Sequence, residues 1–142
     1  MMHISTKGRY ALRMMIDVAE NGNSTIKDVA ERQGISRKFL EQIALSLSKA
    51  GLLLGTRGHY GGYKLARDPK DITALDVIEA VEGKIAVVSC LEDPDTQCER
   101  CEGCKTLPLW MGLKERVETY LRGVTIRDLM KNVPNADSSK TV

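Results

Sequence analysis

The chain has 142 residues, of which 42% are hydrophobic and only 4% aromatic, enough for one compact domain with one or two added elements. No apolar run approaches the ~20 residues of a membrane span, and the N-terminus "MMHISTKGRY" is polar, so we expect no membrane contact and a cytoplasmic location. The net charge is +2, but residues 1–70 hold 12 Lys and Arg against 6 Asp and Glu, whereas residues 71–142 hold 9 against 13. The first half is therefore the part expected to meet nucleic acid.

Three helices are predicted near the N-terminus. Apolar residues recur in pairs every four positions over Tyr10–Ala19, which is the pattern of an amphipathic helix. Thr25 and Asp28 form a capping-box signal for a short second helix. Ser36 can cap a third helix with one apolar face, and only "GIS" separates it from the second. Two helices joined by such a tight turn predict a helix-turn-helix.

A small hairpin follows the third helix. The runs "LLLGTR" and "YKLAR" are strand-like and flank "GHYGG", whose glycines permit a tight turn. A helix-turn-helix followed by a basic hairpin predicts a winged helix. Thr73 and Asp76 then repeat the capping signal, and Gly83 closes a fourth helix.

A longer amphipathic helix is predicted from about Pro108 to Gly123. One side of it carries the apolar residues Leu109, Leu113, Val117, Tyr120, Leu121 and Val124. Little sequence remains to cover this side, so we expect it to pack against a second copy of the chain. Thr125 and Asp128 predict one further short helix.

These elements predict a mainly α fold with a small β-wing, in which a winged helix-turn-helix domain is joined to a long C-terminal dimerisation helix. The expected divisions are a DNA-binding domain at 1–83, a cysteine-containing cluster-binding loop at 84–106, the dimerisation helix and a short C-terminal helix at 107–131, and a flexible tail at 132–142.

The non-apolar side of the third helix holds the residues best suited to reading DNA, namely Ser36, Arg37, Lys38, Glu41, Gln42 and Ser46. In a major groove Arg and Lys pair with guanine, Gln pairs with adenine, and Glu accepts from cytosine. A solvated helix face is the plain alternative, but it leaves the basic half and the wing unexplained. Further DNA contacts are predicted for Arg57, Gly58, His59, Tyr60 and Lys64 in the wing, and for Ser5, Thr6, Lys7 and Arg9 at the start of the first helix.

All four cysteines, Cys90, Cys98, Cys101 and Cys104, lie in the acidic segment "SCLEDPDTQCERCEGCK" at residues 89–105. A reducing compartment disfavours disulfides, and thiolates suit zinc or iron–sulfur clusters. The run C-x2-C-x2-C is closer to iron–sulfur ligation than to the two separated knuckles of zinc sites. Structural zinc and a redox sensor with free thiols remain the alternatives.

No residue pattern predicts an enzyme or a small-molecule substrate. The sequence presents no serine–histidine–acid arrangement, phosphate-binding loop or paired-carboxylate motif, and no βαβ pattern accompanies the C-x-x-C spacing as a thiol oxidoreductase requires. The competing hypothesis from another class is a zinc-stabilised winged-helix adaptor that meets a protein partner and makes little use of DNA.

Taken together, "STKGRYALRMM", "ERQGISRKFLEQI", "LSKAGLL", "RGHYGGYKLA" and "CKTLPLW" resemble the IscR-type winged-helix regulators, a group that also includes CymR-like and NsrR-like repressors. The resemblance runs from about Ile4 to Met130. It implies a homodimer, most simply a repressor, that binds a roughly palindromic double-stranded operator. It places Glu41 and Gln42 on the recognition helix and Arg57 in the wing.

The resemblance also implies an iron–sulfur cluster, with 2Fe–2S favoured over 4Fe–4S. Through this cluster the protein would sense cluster or redox status and control genes of cluster biogenesis. IscR-like sensors use three cysteines and a histidine three residues after the last cysteine, and that position is Leu107 here. Cys101 is the substitute that completes a set of four thiolates. CymR-like members lack the cysteines, which argues against that branch, although a nitric-oxide or cysteine-metabolism repressor stays an alternative within the family.

Overall fold

The computed structural model describes residues 4–56, 61–87 and 103–131. These residues form six α-helices and a two-stranded antiparallel sheet. In chain order the elements are α1 (Thr6–Asn21), α2 (Ile26–Gln33), α3 (Arg37–Lys49), β1 (Leu53–Thr56), β2 (Gly62–Leu65), α4 (Ala74–Glu82), α5 (Leu107–Arg122) and α6 (Ile126–Met130), with a 3-10 turn at Pro69–Asp71. The prediction of a mainly α fold with a small β-wing is confirmed.

Local side-chain signals set most helix starts. Capping boxes with both hydrogen bonds present open α2, α4 and α6, at the pairs Thr25 and Asp28, Thr73 and Asp76, and Thr125 and Asp128. In each box the threonine hydroxyl accepts from the backbone of the third helical residue, whose carboxylate accepts from the threonine N–H. The three boxes predicted from the sequence are therefore confirmed.

The turn between α2 and α3 is tight because Gly34 adopts a left-handed conformation, with φ 66° and ψ 36°. A side chain would strain the backbone there. The N–H groups of Gly34 and Ile35 both donate to the Ala30 carbonyl. Ile35 is buried, so it fixes the start of α3 against the core.

The wing is joined to the helices by a bridge that the sequence did not predict. Ser24, in the α1–α2 connection, pairs with Tyr63 of β2 through two backbone hydrogen bonds of 2.9 and 2.7 Å. Gly62 lies beside this bridge, and a Cβ atom there would stand 2.7 Å from the Ser24 carbonyl oxygen. Only a residue without a side chain allows β2 to approach this closely.

The core lies where α1 crosses α3, α4 and α6. Its largest fully buried side chains include Met14, Met15, Leu40, Ile43 and Ile126. α5 differs from the other helices because none of its sixteen residues is buried. It contacts α4.

The apolar side predicted for α5 divides into three parts. Leu109, Leu113 and Tyr120 are exposed, whereas Val117 and Leu121 are half-buried. Placing Val124 in this set was wrong, because the helix ends at Arg122 and Val124 is buried beyond it. The Val124 carbonyl accepts from Ala74 N–H, so this residue belongs to the core beside α4.

Candidate nucleic-acid interface

The exposed side of α3 carries four of the residues that the sequence singled out for DNA. Arg37, Lys38, Glu41 and Gln42 are exposed, while the apolar side of the helix has four fully buried residues, Leu40, Ile43, Ala44 and Leu47. We call these four residues the reading face. Within the described ranges, none of the four takes part in an ion pair. Their side chains can therefore contact a ligand without first losing an ion pair to another described residue.

Contacts at the start of α3 hold the reading face in place. Ser36 is the N-cap, and its hydroxyl accepts from Phe39 N–H at 3.2 Å. The Phe39 ring meets Tyr10 of α1 edge to face, with ring centroids 5.6 Å apart. The Arg13 guanidinium lies 5.3 Å from the centre of the Tyr10 ring. Ser36 therefore positions the helix, whatever contact it makes with DNA.

The base of the wing is described, but its tip is not. Thr56 accepts from Gly62 N–H at 2.8 Å and donates to the Asn23 side chain at 3.1 Å, which closes the hairpin onto the α1–α2 connection. Lys64 is exposed on β2. The predicted contacts Arg57, Gly58, His59 and Tyr60 lie outside the described residues.

The start of α1 is partly taken up by a carboxylate. Thr6 is exposed and Lys7 is half-buried. Ser5 caps the helix by accepting from Gly8 N–H at 3.1 Å. The Glu82 carboxylate, at the end of α4, accepts from both the backbone N–H and the hydroxyl of Ser5. Sequence reasoning missed Glu82 because it lies 77 positions from Ser5.

One cysteine of the predicted ligand set lies in the described part. The Cys104 sulfur is 3.4 Å from the Thr106 hydroxyl. Hydrogen bonds from the Thr106 side chain, then from the N–H groups of Thr106 and Leu107, lower the pKa of the Cys104 thiol. Lowering the thiol pKa favours the thiolate, which is the form that binds metal.

Cys90, Cys98 and Cys101 lie outside the described residues. Accordingly, residues 4–56, 61–87 and 103–131 contain no group of three or more His, Cys, Asp or Glu placed to hold a metal. Leu107 is the first residue of α5. Its aliphatic side chain has no donor atom for a metal.

Comparison with known proteins shows the family to which this fold belongs. A family model described as "Rrf2: Iron-dependent Transcriptional regulator" matches residues 4–132. The chain belongs to the Rrf2 family. A relative from Photobacterium profundum, named HTH-type transcriptional regulator IscR, is 39% identical over 134 residues, which cover 92% of this chain and 77% of the relative.

Solved structures of other regulators share the fold of this Rrf2-family chain. CymR, titled the global cysteine regulator of B. subtilis, superposes with a TM-score of 0.77 at 37% identity, covering 94% of this chain and 99% of CymR. T. potens IscR superposes with a TM-score of 0.75 at 33% identity, covering 99% and 93% respectively. The chain is thus an IscR-like, DNA-binding transcriptional regulator, in a family of regulators and not of enzymes.

In the described residues no helix has the length and apolar character to cross a membrane.

Proposed function

We propose that this Rrf2-family protein is a homodimeric repressor that binds a palindromic double-stranded operator and senses iron–sulfur cluster or redox status through its four cysteines. The observation that carries the proposal is the exposed reading face of α3 in a chain that keeps a clustered set of cysteines. The genes proposed to be controlled are those of cluster biogenesis, as the resemblance to IscR-type regulators implies.

In this proposal the reading face enters the major groove. Arg37 and Lys38 approach guanine edges or phosphates, Gln42 pairs with adenine, and Glu41 accepts from the cytosine amino group. Arg57, Gly58 and Tyr60 contact the backbone or the minor groove, and Thr6 and Lys7 contact one further phosphate. The Ser36 hydroxyl oxygen accepts from Phe39 N–H in the helix cap, which leaves its proton to donate to a phosphate.

A second copy of the chain is the proposed partner of α5. Leu109, Leu113 and Tyr120 recur at helical spacing and are 61%, 36% and 54% exposed. Beside them, Val117 and Leu121 line an open groove of about 950 Å³ together with Ile4. A helix with no buried residue gains stability when such a face packs against another helix. Dimerisation would also present two reading faces to two half-sites.

The proposed cluster ligands are Cys90, Cys98, Cys101 and Cys104. The hydrogen bonds that favour the Cys104 thiolate fit a metal ligand. When bound, a 2Fe–2S cluster supplies reversible one-electron chemistry and sensitivity to oxidants. IscR-like sensors have a histidine ligand at the position of Leu107, whose side chain cannot bind a metal. In this proposal Cys101 replaces that histidine as the fourth ligand. Cys104 lies two residues before Thr106, the N-cap of α5, so an ordered cysteine loop would bear directly on the start of the dimerisation helix.

The experiment that tests this function measures both halves on one sample. Protein is purified without oxygen, iron, sulfide and zinc per chain are measured, and operator affinity is determined for the loaded and the metal-free forms. We expect iron and sulfide in near-equal amounts and a change in operator affinity equivalent to about 1–3 kcal/mol on removal of the cluster. Zinc without sulfide, or an affinity that does not respond to loading, would contradict the sensing function.

Two variants separate the halves of the molecule. Arg57→Ala should weaken operator binding and reduce the salt dependence by about one phosphate contact while the iron content is unchanged. Cys104→Ala should lose the cluster but leave dimers that still bind some DNA. If Cys104→Ala abolishes dimerisation, the metal is structural, as the zinc-stabilised adaptor hypothesis requires.

A cysteine-metabolism repressor is the second candidate function. It is favoured by the TM-score of 0.77 with CymR, whose title names it a global cysteine regulator. Under this alternative, operator affinity would be unchanged by iron and sulfide and would respond instead to a signal derived from cysteine metabolism. The comparison of loaded and metal-free forms therefore distinguishes the two candidates.

A further inference from the structure

One large apolar side chain lies in the middle of the reading face. Leu45 is 56% exposed on α3. The other exposed large apolar residues of the described part are Leu109, Met111, Leu113 and Tyr120 on α5, Ile4 before α1, and Leu54 on β1. Leu45 is therefore the exception on the helix that carries the reading face.

The position of Leu45 follows from helical geometry. Residues three and four positions apart are neighbours on a helix surface. Leu45 lies one turn after Glu41 and Gln42, and Lys49 lies one turn after Leu45. The arc from Arg37 to Gln42 around the exposed side has Leu45 near its centre, because each residue advances the helix by about 100°. Leu45 thus continues the reading face and does not belong to the apolar side that packs against α1.

Single exposed leucines are common on protein surfaces and carry little information by themselves. This one is surrounded by groups whose partners are base edges and phosphates. In the major groove the only apolar group that DNA offers is the C5-methyl of thymine. Water around a leucine and around a methyl group is released when the two meet, which is favourable.

We infer that Leu45 is a specificity-determining residue that contacts a thymine methyl group in the operator. The inference rests on the proposed role of the reading face and extends it from polar readout to one apolar contact. Leu45 would favour thymine at one position in each half-site, next to the base pair that Glu41 faces. A cytosine there lacks the methyl group and presents an amino donor to the leucine side chain.

Deoxyuridine provides the test because it keeps every hydrogen-bonding group of thymine and lacks only the methyl. An operator is selected from a randomised duplex library with the wild-type protein, and each thymine is then replaced singly by deoxyuridine. One replacement should weaken wild-type binding roughly fourfold, which is the change in affinity that corresponds to the free energy of burying one methyl group. The Leu45→Ala variant should be weaker on the thymine duplex and insensitive to that replacement.

Leu45→Ser serves as a second variant, and Leu54→Ala as a matched control from an exposed leucine on β1. Leu54→Ala should keep the wild-type deoxyuridine profile. Thermal unfolding confirms that each variant is folded, as an exposed site predicts. A wild-type profile with no sensitive thymine, or an unchanged profile in Leu45→Ala, overturns the inference while operator binding stands. Failure of the wild-type protein to select any duplex would overturn both the inference and the proposed reading face.

Discussion

Arg32 holds the buried Asp17 carboxylate through both of its oxygens. Its Nε lies 3.1 Å from each oxygen, and its Nη2 lies 2.6 Å from Oδ1. The hydrogen bond from Arg32 to Asp17 in turn raises the pKa of Arg32. Nη2 also donates to Ser24, the residue that pairs with the wing. One ion pair thus joins α1, α2 and the connection on which the wing rests.

Asp17→Asn should lower the free energy of unfolding by about 2 kcal/mol, because hydrogen bonds to a charged group are lost inside the fold. The cost stays moderate since the Arg32 side chain is 37% exposed and can be solvated. Urea unfolding measures the change. Glu31→Gln, an exposed carboxylate on α2, is the control and should stay within about 0.5 kcal/mol of the wild type. Equal effects of the two substitutions would contradict a structural role for the pair.

The wing should be loosened by Gly62→Ala and tolerate Gly55→Ala. A Cβ atom at position 62 would meet the Ser24 backbone at 2.7 and 2.9 Å, whereas at position 55 its nearest contact is a Tyr63 ring atom at 3.7 Å. Separating the strand from Ser24 breaks two backbone hydrogen bonds, so we expect a loss of about 1–3 kcal/mol. Urea unfolding and operator affinity both report the effect.

Gly55→Ala provides the matched comparison because Gly55 and Gly62 lie on the paired strands of one hairpin. It should change stability by less than about 1 kcal/mol and leave operator affinity near that of the wild type. If both variants bind DNA as well as the wild type does, the Ser24 bridge does not position the wing.

The proposed dimer interface is tested by introducing a charge on α5. Leu113→Glu should convert the protein to monomers, because it places a carboxylate in the middle of the apolar face formed with Leu109 and Tyr120. Met111→Glu is the control, since Met111 is 55% exposed but lies on the other side of the helix. Sedimentation velocity measures the mass. A dimer that survives Leu113→Glu, or is lost in both variants, would refute this interface.

Local rules explain which features could be predicted from the sequence. The three capping boxes and the Gly34 turn each depend on residues a few positions apart, so their spacing reveals them. The contact of Glu82 with Ser5 joins residues far apart in the chain, and no spacing signals it. Leu45 was missed for a different reason, because a single leucine on a polar helix face carries little information until the structure shows that it is exposed there.

The pH dependence of stability should include a contribution from Asp28. Hydrogen bonds from the backbone and hydroxyl of Thr25 lower the pKa of this carboxyl below its usual value. A group with a lowered folded-state pKa stabilises the protein above its unfolded pKa, and the contribution is lost as the pH falls. The stability difference between wild type and Asp28→Asn should therefore be constant above about pH 5 and shrink below about pH 4. Urea unfolding across this range checks it, and a pH-independent difference would contradict it.

Glu82→Gln should have opposite effects on stability and on DNA binding. The glutamine oxygen can still accept from Ser5, but the negative charge that favours the start of α1 is lost. We expect the free energy of unfolding to fall by less than about 1 kcal/mol. Operator affinity should rise about two- to fivefold at low salt, because the substitution removes a charge that would repel the phosphate proposed to contact Thr6 and Lys7.

The control for this substitution is Glu115→Gln, which makes the same change in net charge on the exposed surface of α5. Fluorescence anisotropy with the selected operator, at about 50 mM and about 200 mM salt, measures both variants. The gain for Glu82→Gln should shrink at the higher salt, since screening weakens the repulsion that was relieved. An equal gain in Glu115→Gln would mean that net charge alone is responsible. Weaker binding by Glu82→Gln would mean that its carboxylate holds α1 in the DNA-binding position and does not oppose the phosphate.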